Sequence, residues 1–117
     1  MPAFAAAGLT WPQINDLADY VLSLSGTPGD AAALARGAAL YADNCVACHG
    51  DAGEGNRELG APRLNDRIWL YGGDKASVMR TIGNARAGVM PAWGSRLDPA
   101  TINMLTVYVH ALGGGEQ

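Results

Sequence analysis

In the stretch Cys45-Val46-Ala47-Cys48-His49, reactive side chains stand at a spacing that suits a single task. It uses both cysteines of the chain, so no disulfide framework competes for them. Residues three apart at the end of a helix share one side. Two thiols placed so are able to add to the two vinyl groups of one haem, while the next residue presents its imidazole to the iron. Other chemistries use similar residues. A thioredoxin-like dithiol needs a strand–helix setting, and no stretch alternates like a strand. A structural zinc needs four ligands, and beyond Cys45, Cys48 and His49 the chain offers the distant His110. Cys-x-x-Cys-His is a recognised signature of covalent haem c attachment, and that is the reading adopted.

An iron held by His49 needs a sixth ligand or an open face, which separates electron transfer from the binding of oxygen, peroxide or nitric oxide. The candidates are Met79, Met90, Met104 and His110. Met79 falls in a predicted helix beside Val78 and Ile82, and Met104 and His110 fall in the last helix. Met90 lies instead in a loop framed by Gly88 and Pro91, and is expected to be the distal ligand. A neutral thioether favours reduced iron and raises its potential. His49 also needs an acceptor for its second ring N–H, expected from a backbone carbonyl of Gly60-Ala61-Pro62-Arg63-Leu64. Arg63, Arg67, Trp69, Arg86 and Trp93 are candidates to hold the haem propionates.

The elements that position these residues read as helices joined by loops. Thr10 can cap a helix from Trp11 to Leu24, which Ser25-Gly26-Thr27-Pro28-Gly29 stops. Asp30 caps a second, Ala31 to Asn44, followed by a glycine-rich loop over 50–62. Asn65 to Tyr71 is predicted as a short helix and Lys75 to Gly83 as a longer one behind Asp74. Asp98-Pro99 opens the last helix, which runs to Leu112 and stops at Gly113-Gly114-Gly115. Gly37 interrupts its helix at a cost of about 1 kcal/mol relative to alanine. A close helix crossing would justify it, with Gly37 and Tyr41 expected to face Leu105 and Tyr108.

The chain also repeats itself. Met1-Pro2-Ala3-Phe4 matches Met90-Pro91-Ala92-Trp93, and after a one-residue shift Leu9–Gly26 aligns with Leu97–Gly114. Ile14, Asn15, Leu17, Tyr20, Val21 and Leu24 meet identical residues at 102, 103, 105, 108, 109 and 112. Residues 1–27 therefore read as the remnant of a preceding copy, and 28–117 as a complete single-haem domain. The apolar stripe over 11–24 is expected to dock on the outside of that domain or on a second molecule, giving self-association.

Composition narrows the function. A net charge of −3 leaves no footprint for nucleic acid, and no uncharged stretch is long enough to span a bilayer. With 21 alanines and 16 glycines in 117 residues, side chains alone fill a core poorly, and a bound group is expected to share the interior. One lysine among eight basic residues excludes a lysine-rich docking face.

Taken together, these features resemble a class I cytochrome c over about residues 28–114. Arg57–Pro62, Ile68–Gly73, Gly88–Trp93 and Tyr108–Gly115 are similar to the second haem domain of the dihaem subunit of cbb3-type cytochrome oxidases. The resemblance implies an all-α fold around one covalent haem c, with an extra N-terminal helix. It implies an electron carrier, not an enzyme by itself, that relays electrons from a donor cytochrome to an oxidase subunit or an upstream haem domain. It also implies a periplasmic location and a parent protein anchored to the bacterial inner membrane. Met1 would correspond to the axial methionine of a first haem whose own attachment motif is absent here.

Overall fold

The computed structural model describes residues 1–113 and is helical, with an isolated bridge between Asn56 and Ala61 as the only extended pairing among them. Five α-helices follow in order: α1 Trp11–Leu24, α2 Ala31–Asn44, α3 Val46–His49, α4 Lys75–Asn84 and α5 Pro99–Ala111. A 3-10 turn, Trp93–Ser95, precedes α5. The chain forms two compact units, Met1–Arg86 and a second beginning at Ala87.

Each long helix starts where a side chain satisfies the first free backbone N–H groups. Thr10 and Gln13 close a reciprocal box, the Thr10 N–H donating to Gln13 Oε1 at 2.9 Å. Asp30, Asp74 and Asp98 each accept from the backbone N–H three residues on, at 2.9, 2.9 and 3.0 Å. The expected helix over Asn65–Tyr71 is absent. Asp66 instead accepts from the Ile68 N–H at 2.9 Å, and Asn65 Nδ2 donates to the Ala52 carbonyl at 3.1 Å. These side-chain bonds give the backbone a turn in place of a helix. Glycines 114 and 115, expected to stop α5, lie outside the described residues.

The core of the first unit is built on α1. Ile14, Leu17, Ala18, Val21 and Leu22 are buried with Phe4, Tyr41, Val78 and Ile82, and Met79 packs against them. The stripe over 11–24, expected to dock on the outside, instead forms part of this core. Its apolar residues pack against α2 and α4 of the same unit. The segment ahead of α1 is pinned as well: the Phe4 N–H donates to the Ile82 carbonyl at 3.2 Å and the Ala5 N–H to that of Gly83 at 3.1 Å.

Gly37 marks the α1–α2 crossing. A Cβ there would collide with the Asp16 carbonyl and stand 2.7 Å from Tyr20 Cβ. The Tyr20 and Tyr41 rings lie 5.2 Å apart between centroids, tilted by 55°. Within the first unit the crossing partner of Gly37 and Tyr41 is thus α1, through Asp16 and Tyr20, where the sequence reading expects Leu105 and Tyr108. Asp16 also pairs with Arg36 across the two helices at 2.6 Å, and Lys75 reaches Asp19 at 2.8 Å.

In the second unit, residues 87–92 are without regular structure and lead into the 3-10 turn and α5. No described helix is long and apolar enough to cross a membrane.

Candidate haem attachment site

Tyr41, one turn before the end of α2, sets the path of the chain into the motif. Its backbone carbonyl accepts from the Cys45 N–H at 2.8 Å, and its hydroxyl donates to the Gly50 carbonyl at 2.8 Å. At 1% exposure it is sealed under α1, and burial pushes the phenol up to about 12. The four-residue helix α3 then turns Cys45, Cys48 and His49 through a single revolution, the His49 N–H bonding the Cys45 carbonyl at 2.9 Å.

Beyond His49 the loop folds back on itself. Gly50 (φ 79°), Gly53 (φ 70°) and Gly55 (φ 80°) occupy the left-handed region that disfavours other residues. The Gly55 N–H donates to the His49 carbonyl at 2.8 Å, and a Cβ on Gly55 would stand 2.8 Å from the Ala61 carbonyl. Asn56 and Ala61 exchange backbone bonds of 2.9 and 2.8 Å, and the Leu64 N–H bonds the Gly53 carbonyl at 2.7 Å. Held by these bonds, Pro62 points its carbonyl at the imidazole, 2.9 Å from His49 Nδ1. A carbonyl only accepts, so Nδ1 is the donor of this bond, and in the neutral ring the lone pair then lies on Nε2.

The thiols differ. Cys48 is exposed, whereas Cys45 is partly buried against the core, and burial, with the neighbouring Cys48 adding to it, pushes its thiol up to about 11. Both are free of disulfide. No cluster of three or more His, Cys, Asp or Glu side chains suits a metal ion among the described residues.

The donor set fits a covalent haem. Two thiols and one oriented imidazole nitrogen lie within one helical turn. Leu59, Ile68 and Leu70 of the same unit are 60%, 82% and 86% exposed.

The structure brings Cys45, Cys48, His49 and Pro62 together. Within the first unit, the other expected residues make contacts of their own. Arg63 contributes its backbone to the Gly55 crossing, and Arg67 reaches toward Gly26. Trp69 packs over Gly73 and against the core. Arg86 donates to the Tyr71 carbonyl at 3.3 Å and lies 5.5 Å over that ring. Met90 and Trp93 belong to the second unit, where Arg96 sits 5.3 Å over the Trp93 ring. Sequence reasoning gave Tyr41 a packing role and missed its bond to Gly50. A tyrosine one turn before the motif is the signal that could have revealed it.

Comparison with known proteins agrees with this chemistry. Residues 32–109 match the family described as cytochrome C oxidase, cbb3-type, subunit III. The cbb3-type cytochrome c oxidase subunit FixP of Azorhizobium caulinodans is 60% identical over 109 residues, covering 92% of this chain and 37% of that protein. Subunit CcoP of Cereibacter sphaeroides is 56% identical over 117 residues, covering 99% of this chain and 40% of that protein. FixP of a Bradyrhizobium species is 57% identical over 121 residues, with 99% and 41% covered. The chain spans about two fifths of the length of the relatives it matches. With two thiols and an oriented imidazole on one helical turn, and a family match over two thirds of its length, the chain belongs to the subunit III family of cbb3-type cytochrome c oxidases, whose cofactor is covalent haem c.

Proposed function

We propose that this chain relays single electrons toward a cbb3-type oxidase, with Cys45 and Cys48 tethering a haem whose iron is ligated by His49 and Met90. The observation that carries this reading is the 2.9 Å contact between His49 Nδ1 and the Pro62 carbonyl, one residue from Cys48. It fixes the ring, leaves Nε2 for the metal and raises the basicity of the ligand. Bound haem supplies an iron that takes up and returns one electron with no bond made to a substrate. The protein's part is to hold that iron still. Cys45 and Cys48 bar it from leaving, Pro62 and the Gly50–Gly55 loop keep the imidazole from turning, and a neutral thioether stabilises the reduced state.

Several features of the reading rest on the sequence. Residues 1–27 derive from a preceding cytochrome c domain and 28–117 make up the haem domain proper. Arg63, Arg67, Trp69, Arg86 and Trp93 are the side chains assigned to the propionates. The site faces the periplasm, in a parent protein anchored to the inner membrane. A donor cytochrome supplies the electron, and an oxidase subunit or an upstream haem domain accepts it.

Secretion of the chain in a host that attaches haem c, followed by mass measurement of the whole protein, tests the central claim. One covalent haem is expected, with a sulfur-to-iron charge-transfer band in the ferric state and a ferrous spectrum unchanged by carbon monoxide. A haem-free product overturns the reading. Ready binding of carbon monoxide moves it to a ligand-binding haem protein.

A further inference from the structure

We infer that the two thiols of the attachment motif react in a fixed order, Cys48 taking the first haem vinyl group and Cys45 closing on the second. The inference rests on the haem reading above and goes beyond it by giving the two cysteines different kinetic roles.

Three observations meet here. The first is exposure. Cys48 is exposed, whereas Cys45 is partly buried and His49 is 9% exposed. Of the three side chains that must meet the macrocycle, Cys48 alone is open to solvent. The second is packing. Cys45 lies against the buried cluster that Tyr41, Val78 and Ile82 build with α1. The third is the backbone. The Cys45 N–H donates to the Tyr41 carbonyl at 2.8 Å, and the Cys45 carbonyl accepts from the Cys48 and His49 N–H groups at 3.1 and 2.9 Å. Both backbone groups of Cys45 are thus committed at the joint of α2 and α3. Bringing its sulfur outward costs core contacts or these bonds.

Addition needs a sulfur within contact distance of a vinyl carbon, with the whole macrocycle following behind. In a first, bimolecular encounter so bulky a partner meets the exposed thiol before one packed against a core. The Cys48 S–H adds across the vinyl double bond. Its sulfur bonds the carbon next to the ring, and its hydrogen passes to the outer carbon, which becomes a methyl group. The S–H bond and the vinyl π bond are the only ones broken, and no oxidant or reductant is consumed. The second addition, by Cys45, has the same balance but is intramolecular. Tethering raises the effective concentration of a well-aligned partner to about 10⁵ M or more, which offsets the cost of opening the Cys45 packing. Positions 45 and 48, three apart on one turn, supply that alignment.

The test uses the full chain, secreted in a host that attaches haem c and harvested at short intervals after synthesis begins. Single and double attachment give equal masses, so alkylation in denaturant marks any thiol still free, and peptide mapping locates the mark. In singly attached chains the alkyl group is expected on Cys45 about tenfold more often than on Cys48, the ratio that a barrier difference of about 1.4 kcal/mol gives. Marking mainly on Cys48, or on both equally, overturns the inference. Should no singly attached chain be caught, single variants decide. Cys45→Ser is expected to hold haem on Cys48 in about tenfold higher yield than Cys48→Ser holds it on Cys45. Equal yields, a reversed ratio or no haem in Cys45→Ser overturns the order. An unaltered chain that takes up no haem, by contrast, defeats the haem reading itself.

Discussion

At the scale of single residues, Tyr41 ties the fold to the chemistry. Its ring closes the α1–α2 crossing and its hydroxyl holds the carbonyl of Gly50, the residue that follows His49. Tyr41→Phe leaves that carbonyl without a donor, at a cost of about 1–3 kcal/mol, and is expected to lower the melting temperature of the holoprotein. The phenol also makes stability depend on alkaline pH. Its folded value, about 12, lies above the ordinary 10, so the neutral form is favoured in the fold. The resulting stability is complete below pH 10 and is lost as pH rises toward 12, a fall of roughly 2 kcal/mol. Denaturant midpoints of the holoprotein across this range are expected to drop, and Tyr41→Phe to flatten the drop. An unchanged slope in the variant would assign the effect to another group. The cysteines give a second prediction. Cys45→Ala/Cys48→Ala is expected to leave no covalent haem and little folded protein, because the macrocycle completes an alanine- and glycine-rich interior. A cooperative melt of this variant near the holoprotein's temperature would contradict that.

At the scale of elements, Gly37 lets two effects be weighed. By helix propensity alone, Gly37→Ala should stabilise α2 by about 1 kcal/mol. Yet the new Cβ meets the Asp16 backbone and Tyr20 Cβ, neither of which swings aside, and overpacking of this kind costs about 1–3 kcal/mol. Packing wins, and chemical denaturation should show a net loss. A gain would mean that α1 does not cross there. The same elements show what a sequence can reveal. The starts of α1, α2, α4 and α5 were legible because Thr10, Asp30, Asp74 and Asp98 announce them. The acceptor stretch around Pro62 was legible because an imidazole beside the two thiols needs a partner for its second ring nitrogen. The helix expected over 65–71 was not, because its apolar pattern is overruled by hydrogen bonds from the Asn65 and Asp66 side chains. Nor was the partner of Gly37. Glycine announces a close crossing, but Leu17 and Tyr20 carry the same side chains as Leu105 and Tyr108, so residue types alone could not choose between two helices.

At the scale of the whole molecule, charge is sparse and placed at joints. Asp16 is held below its ordinary value by its bond to Arg36, Asp74 by its bonds to Ser77, and Asp98 by its bonds to Thr101. Each contributes stability that is present above the ordinary aspartate range and lost as pH falls through the lowered folded value. Acid should therefore loosen the α1–α2 pairing and the starts of α4 and α5 in one window, read as a loss of helical circular dichroism. Asp74→Asn is expected to shrink that loss, and an identical acid profile in this variant would remove the cap from the account.

The position of α1 also bears on how the protein is made. A loop of six residues separates α1 from α2, so the tightest crossing in the first unit joins neighbours in the chain. Contacts between such neighbours form early, before distant segments have been synthesised. As the polypeptide emerges, the α1–α2 hairpin can close while Cys45 is only just appearing, and α4 completes the unit at Arg86. The attachment motif is thus delivered on a scaffold already half assembled, with its exposed thiol, Cys48, facing the solvent from which the macrocycle must arrive.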